Sequence, residues 1–211
     1  MSDTMNYLFA LGCFLVLLTC GSTKRVQTAS ETDGMSREVS QLDGPDGLKA
    51  EIPIEPMFTS ARQVESIMNY LASDELKGRD TGSEGIELAA QYLEKHFTEN
   101  DVSPYYETYR DTLSNFKKPA YNIVGMIEGS DLVLKEEYII IGAHYDHIGT
   151  IRPENGDYIA NGANDNASGT TAVMELARYF GKNKSNKRSL IFALFSAEEK
   201  GLLGSKHLAK R

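Results

Sequence analysis

Cysteine is nearly absent from this sequence: among its 211 residues only Cys13 and Cys20 carry a thiol, and both lie in the first 20 positions. Removal of a leader that contains them would leave no pair for a structural disulfide. Stability must then come from the apolar core and from any bound metal. The hydrophobic content of 41% is ordinary for a globular protein, and the length suits one domain of moderate size.

Basic residues are also in deficit. The 22 Lys and Arg residues are outnumbered by 30 Asp and Glu, which gives a formal net charge of -8. The basic side chains are scattered along the chain and form no cluster. Because proteins that bind nucleic acids usually present a basic surface to the phosphates, the sequence argues against a nucleic-acid partner.

Long apolar runs are lacking too, since the run near the start covers only residues 7–18 and is too short to cross a bilayer comfortably. It is typical of a signal-peptide core. The letters LLTC that follow resemble a bacterial lipobox, although Thr19 is larger than usual and no Lys or Arg precedes the run. We predict a lipoprotein signal peptide over residues 1–19, membrane attachment through lipid on Cys20, and export to the cell envelope (periplasm or outer membrane) or secretion. The alternative is a buried N-terminal helix.

The segment after this leader is poor in large apolar residues. Ser, Thr, Gly, Asp and Glu dominate residues 21–47. A segment of that composition cannot bury enough apolar surface to fold alone. The sequence therefore predicts a flexible tether over residues 20–50 and a folded domain over residues 51–211.

Two stretches have the apolar spacing of amphipathic helices. In the first, Thr59 or Ser60 can cap a helix whose apolar residues recur at intervals of three and four up to Leu71. In the second, Ser83 is the expected N-cap and the same spacing continues to Phe97. Both patterns predict helices that bury one face.

Strand-like runs follow the helical region. The last of them is continuously apolar, as expected for a strand covered on both faces. A predicted helix over residues 166–180 separates the last two runs, and such alternation favours an α/β sandwich with a partly parallel central sheet. The predicted strands are residues 105–109, 121–127, 138–143 and 190–195.

Polar side chains follow two of these predicted strands. His144 and Asp146 come after one strand, Glu198 and Glu199 after the other, and Asp165 begins the intervening helix. In open α/β sheets, ligands bind beyond the carboxyl ends of the strands, so these groups are expected to converge. Imidazole and carboxylate together suit zinc most readily, with cobalt or manganese also open. Of two adjacent glutamates, one can bind metal while the other accepts a proton from water.

Each of these residues also has a simpler interpretation when it is taken singly. A histidine after a strand is more often a hydrogen-bonded loop residue than a ligand. Asp165 is most simply a helix N-cap and Asp146 an Asx-turn residue. Adjacent glutamates are most often the exposed first turn of a helix. The metal site is favoured because all of them follow strand ends that one crossover brings together.

Three motifs carry a family resemblance. The stretches GAHYDHIG (142–149), NGANDNASGT (161–170) and FALFSAEEKGLLGS (192–205) resemble the successive motifs of metallopeptidase family twenty-eight, the co-catalytic zinc aminopeptidases. The upstream stretch LKGRDTGSEGIELAAQYLEKHF (76–97) is similar to that family as well. The resemblance extends over residues 57–210 and implies a three-layer, zinc-exopeptidase-like α/β sandwich.

The resemblance also implies roles for the site residues. His144 would bind one of two zinc ions, Asp165 would bridge both, and Glu199 would bind the other. Glu198 would be the general base of a two-metal hydrolysis of N-terminal peptide bonds, and Asp146 would orient His144. Peptides would be the substrates. Three histidines have no role in the family pattern and are expected to be structural or surface residues: His96, His147 and His207.

The family pattern includes two further ligands, an Asp and a distal His, downstream of the Glu198–Glu199 pair. Neither is present before Arg211, so we expect a truncated, C-terminally incomplete sandwich with exposed sheet edges and apolar faces. The activity of this exact chain is then uncertain. The alternatives are an inactive or non-catalytic peptide-binding lipoprotein, and an enzyme similar to the single-zinc glutaminyl cyclases.

Overall fold

The structure of the protein is a computed structural model that describes residues 58–154 and 156–211. The predicted signal peptide, the lipidation site Cys20, the tether and the first residues of the folded domain all lie outside the described residues and remain predictions. Within the described ranges, no helix combines the length and the apolar character needed to cross a bilayer.

Four α-helices and seven strands are the main elements of the described residues. Most of the regular structure lies where the sequence pattern placed it, with strand and helix ends displaced by a few residues. The helices are α1 (Ala61–Leu71), α2 (Glu84–Glu99), α3 (Ser168–Asn183) and α4 (Leu203–Leu208). The strands are β1 (Ser103–Pro104), β2 (Arg110–Thr112), β3 (Tyr121–Ile127), β4 (Tyr138–His144), β5 (Thr150–Glu154), β6 (Asp157–Ile159) and β7 (Ser189–Phe195).

Helix α1 begins with a capping box. The Ser60 hydroxyl accepts a hydrogen bond from the Gln63 N–H at 3.2 Å, and the Gln63 side chain accepts one from the Ser60 N–H at 3.2 Å. Of the two predicted caps, Ser60 is therefore the one used. The box satisfies backbone donors that the first turn leaves unpaired.

Replacing Ser60 with alanine is expected to lower the free energy of unfolding by about 1 kcal/mol, because the cap bond is lost. Urea denaturation of the full chain measures this change. The matched control is Ser66→Ala, which makes the same substitution at an exposed position inside the same helix. Alanine has a higher helix propensity than serine, so this control should be neutral or slightly stabilising. Equal losses from both variants would contradict the role of the cap.

Helix α2 also follows its prediction. The Ser83 hydroxyl accepts a hydrogen bond from the Ile86 N–H at 3.4 Å. The apolar residues spaced at three and four positions are buried, and Leu93 and Phe97 are completely so. This buried stripe fixes the helix against the sheet.

The main sheet is mixed. Strands β1 and β2 both pair with β3, which runs antiparallel to β7, and β7 runs parallel to β4. Helix α3 makes the crossover between β4 and β7, as parallel strands require. The α/β class and the partly parallel sheet are thereby confirmed. Strands β5 and β6 form a separate antiparallel hairpin.

Helices α1, α2 and α3 share one apolar core with the sheet. Strand β7 lies at its centre, and every residue from Ser189 to Leu194 is buried, which confirms that this strand is covered on both faces. Its side chains Leu190, Phe192 and Leu194 belong to the shared core. The short helix α4 contributes Leu203 to a second, smaller cluster around Leu113.

Strand β4 ends the strand order among the described strands. Tyr138, Ile139 and Ile140 are 54%, 45% and 60% exposed. An exposed apolar edge of this kind agrees with the expectation of uncovered sheet edges and apolar faces, and such edges favour association between chains.

The strand predicted over residues 105–109 is wrong. The segment is a loop between β1 and β2, and its ends bond to the same residue of β3. The Tyr105 N–H donates to the Val124 carbonyl at 3.1 Å, and the Val124 N–H donates to the Tyr109 carbonyl at 2.7 Å. Because both backbone groups of Val124 are used by the ends, the residues between them bulge out. The aromatic residues of this segment pack in other ways: Tyr105 and Tyr106 stack edge to face, and Tyr109 packs against Phe97 of α2.

Candidate metal centre

The candidate site lies where the parallel strands β4 and β7 end. His144, the last residue of β4, stands opposite Phe195, the last residue of β7. Because the two strands run in the same direction, residues 145–147 and 196–199 leave the sheet at the same edge. The structure thus brings together the two polar segments that the sequence pattern placed there.

Asp146 links these two segments. Its carboxylate is fully buried and accepts hydrogen bonds from the backbone N–H groups of Glu198 at 3.1 Å and Glu199 at 3.3 Å. The Thr81 hydroxyl donates a third bond at 3.1 Å. Hydrogen bonds to an ionised acceptor are stronger than neutral ones. Asp146 therefore fixes the point at which the two glutamates turn away from the sheet, a role that the sequence did not indicate.

The ring of His144 is held at one nitrogen and presents the other to Asp165. Its Nδ1 lies 3.1 Å from the carbonyl oxygen of Asp146 and 3.7 Å from the carboxylate of the same residue. Its Nε2 lies 3.0 Å from Asp165 Oδ1. Asp146 is thus next to His144, as the orienting role requires, with its carbonyl as the nearer group.

The charges around His144 favour a cation. The side chain of Asp146 is the main cause, with a smaller contribution from Glu198, and together they raise the pKa of His144 to about 9 against the opposing effect of burial. Surroundings that stabilise a proton on this ring also stabilise a metal ion, which must displace that proton to bind the nitrogen.

Asp165 comes from the irregular turn Ala163–Ala167, which precedes α3 and contains a cis peptide bond between Asp165 and Asn166. The side chain is 62% exposed and reaches His144 from outside the sheet. The hydroxyl of Thr170, in the first turn of α3, donates to the His144 carbonyl at 2.9 Å. This bond ties the start of the helix to the end of β4 and so holds the turn beside the strand end.

Glu199 contacts His147, which has no role in the family pattern and was expected to be a structural or surface residue. Its Oε1 lies 2.8 Å from Nδ1 of His147. One ligand atom from each of His147, Asp165 and Glu199 lies within 4.8 Å of the other two. The available signal was the spacing HYDH, which places a second imidazole just past the same strand end as His144.

The carboxylate of Glu198 differs from that of its neighbour. Glu198 is half-buried, and within residues 58–154 and 156–211 only its backbone forms hydrogen bonds. The Glu199 carboxylate is instead held by His147. The two adjacent glutamates thus have different surroundings, as a division between proton transfer and metal binding requires.

A buried arginine, Arg79, joins two of the segments that form the site. The guanidinium of Arg79, which is 1% exposed, donates to the carbonyls of Tyr145 at 2.8 Å, Asn161 at 2.7 Å and Gly162 at 3.0 Å, and also to that of Leu71. Burial lowers the pKa of Arg79 to about 10, and the charges of two site carboxylates oppose this shift. The side chain therefore stays charged at neutral pH and joins the segment after β4 to the turn before α3.

The donor set fits a divalent metal. Imidazole nitrogen and carboxylate oxygen are the protein ligands that zinc takes in catalytic sites. Asp165 contacts His144 at 3.0 Å, and one of its oxygens also lies within 4.8 Å of a ligand atom of His147 and of Glu199. A carboxylate close to both imidazoles is placed where it can serve two ions.

The remaining histidines contact other parts of the fold. His96 Nε2 lies 3.0 Å from the Met174 carbonyl, and burial lowers the pKa of His96. His207 Nε2 lies 3.3 Å from Asp111, and its Nδ1 lies 3.2 Å from the Ser114 hydroxyl. These contacts agree with the expectation that both are structural residues.

The sequence of this region matches that of a known family. Residues 122–211 match the model of peptidase family M28. The matched segment contains His144, Asp146, Asp165, Glu198 and Glu199. The family resemblance that the three motifs carry is thereby confirmed.

Individual relatives agree with this match. The chain is 32% identical over 137 residues to a probable leucine aminopeptidase of Arthroderma otae, covering 63% of this chain and 34% of that protein. It is 39% identical over 88 residues to a probable zinc metalloprotease of Pyrenophora tritici-repentis, covering 42% of this chain and 19% of that protein. The chain therefore spans well under half of either relative.

Solved structures share the fold. The crystal structure of the LapA aminopeptidase of Legionella pneumophila is 26% identical, with a TM-score of 0.55 over 72% of this chain and 37% of that chain. The glutaminyl cyclase of Tannerella forsythia is 20% identical, with a TM-score of 0.51 over 67% of this chain and 48% of that chain. The second likeness shows the fold alone.

Proposed function

Because residues 122–211 carry the sequence pattern of peptidase family M28, we propose that this chain acts as a zinc-dependent aminopeptidase. It would release N-terminal residues from peptides. The observation that carries the proposal is the convergence at one sheet edge of an imidazole and three carboxylates from three separate segments, with His144 Nε2 only 3.0 Å from Asp165 Oδ1.

Three residues would hold the metal in this proposal: His144, Asp165 and Glu199. Asp165 would be shared between two ions, because it contacts the histidine of β4 and also lies close to the ligand atoms of His147 and Glu199. Zinc bound there would supply Lewis-acid stabilisation for charge that develops on the scissile carbonyl, and would make a water more acidic.

The side chains of Asp146 and Glu198 would have separate roles in the reaction. The buried carboxylate of Asp146 holds the backbone of both glutamates and keeps the neighbouring His144 ring oriented. The carboxylate of Glu198 would accept a proton from the attacking water and deliver it to the leaving amine. Among the described residues its carboxylate forms no ion pair, so its oxygens are available for this transfer.

The experiment that tests this function measures release of 4-nitroaniline from a panel of aminoacyl-4-nitroanilides by the purified full chain. We expect release that stops when 1,10-phenanthroline removes zinc and returns when zinc is restored. An N-acetylated version of the best substrate is the control and should not be cleaved. If no unblocked substrate is cleaved when the protein carries its full content of zinc, the proposal fails.

A second arm separates this activity from glutamine cyclisation, which the likeness in fold to a glutaminyl cyclase makes worth testing. A peptide that begins with glutamine should release the free amino acid and no ammonia. Release of ammonia together with a blocked N-terminus would favour the cyclase reaction instead.

A further inference from the structure

His147 is placed as a site residue although the family motif gives it no part. Its side chain is only 12% exposed, and its Nδ1 lies 2.8 Å from Glu199 Oε1. The His147 N–H donates to the Arg79 carbonyl at 3.2 Å, so the backbone at this position is fixed by the residue that braces the site.

The ring of His147 packs directly against Gly162. Gly162 adopts a left-handed conformation, and a Cβ added there would lie 2.5 Å from the Asp165 carbonyl oxygen and 2.7 Å from the Cγ and Cδ2 atoms of His147. A side chain at Gly162 would therefore displace the imidazole. The glycine at this position, at the start of the turn that carries Asp165, has no side chain and so leaves room for the ring.

Three segments place one donor each around a common point. His147 follows β4, Asp165 precedes α3 and Glu199 follows β7, and one ligand atom of each lies within 4.8 Å of the others. His144 contacts the Asp165 carboxylate through its Nε2, whereas the imidazole that contacts Glu199 is that of His147.

We propose that His147, Asp165 and Glu199 form a zinc site, in which His147 supplies the imidazole ligand next to Glu199. This inference deepens the proposed function and depends on its choice of zinc. One imidazole and two carboxylates are a donor set that zinc accepts, and three protein ligands leave a further position open, as in catalytic sites. Residues already present in the described chain thus suffice for one ion.

A simpler role for His147 is to donate a hydrogen bond to Glu199 without touching metal. The variant His147→Asn distinguishes the two roles, because an asparagine amide can keep a donor close to the position of Nδ1 but is a poor zinc ligand. The variant His147→Phe removes both functions. A matched control is His96→Phe, which makes the same change at a histidine bonded to the Met174 carbonyl.

Zinc affinity of the full chain is measured by competition with a chromophoric chelator, and the imidazole ligands are counted by X-ray absorption. We expect both His147 variants to bind the zinc of this site more than about 100-fold less tightly, since loss of an outer partner alone costs 10- to 100-fold. One imidazole should disappear from the absorption spectrum. The His96→Phe variant should bind as the wild type does.

Two outcomes overturn the inference while leaving the proposed function intact. One is wild-type affinity in His147→Asn with loss only in His147→Phe, which would make His147 a positioning residue for Glu199. The other is loss of zinc in His144→Asn with both His147 variants unaffected. A wild-type chain that binds no zinc at all would instead overturn the proposed function itself.

Discussion

Replacing Glu198 with glutamine is expected to lower kcat by about 10²- to 10⁴-fold, the range that a general acid-base residue contributes. The amide has nearly the same shape but cannot accept the proton of the attacking water. The backbone bond from the Glu198 N–H to Asp146 does not depend on the side chain, so the turn should keep its position. Zinc content should stay at the wild-type value, because Glu199 and Asp165 are unchanged.

The measurement combines kcat at saturating aminoacyl-4-nitroanilide with metal analysis of the same samples. A suitable control is Glu84→Gln, which makes the same change at a carboxylate that is 74% exposed and paired with Lys77; it should leave kcat unchanged. Full turnover in Glu198→Gln would remove the proposed base. Loss of zinc together with turnover would instead show that Glu198 is a ligand.

The position of the site could be predicted from the sequence because it depends on strand direction. The β-branched run before His144 and the apolar run before Ser196 are both typical of strands, and the helix between them provides the crossover that a parallel pair needs. Once the pair is parallel, the residues after the two strands must share one edge. The register of His144 opposite Phe195 bears this out.

The part played by His147 could not be predicted in the same way. The family motif assigns a role to His144 but none to His147. The periodicity of the sequence pattern does not show which side of a turn a residue faces. The ring packs against Gly162, 15 positions further along the sequence, where a Cβ would lie 2.7 Å from it. The spacing HYDH indicates a second imidazole past the strand end, but its contact with the loop at Gly162 has no local signature.

The extent to which strand β4 is buried could not be predicted from the sequence pattern either. The run Tyr138–His144 has high strand propensity, and propensity measures how well a side chain fits a pleated surface. It does not say what lies on either face. Ile140 is 60% exposed although Ile191, its partner in the register with β7, is 6% exposed. Similar side chains therefore differ in burial because of their place in the sheet.

Replacing Arg79 with methionine is expected to lower the free energy of unfolding by about 3 kcal/mol or more. Methionine fills similar space but donates no hydrogen bond, so the buried carbonyls that the guanidinium satisfies lose their partner. Hydrogen bonds from a charged donor contribute about 1.5–3 kcal/mol each, and a buried polar group left unpaired costs about 1–3 kcal/mol. Urea denaturation of the full chain measures the loss.

Two controls separate this bracing role from the general effect of losing an arginine. Arg188→Met removes a surface pair, with side chains 43% and 57% exposed, and should cost under about 1 kcal/mol. Arg79→Lys keeps the charge but lacks the planar fork that reaches Tyr145 and Gly162 at once, so it should recover only part of the stability. Zinc affinity should fall in both Arg79 variants, because these carbonyls lie beside His144 and before Asp165. If Arg79→Met matches the Arg188 control in both measurements, the guanidinium is not what holds the two ligand segments together.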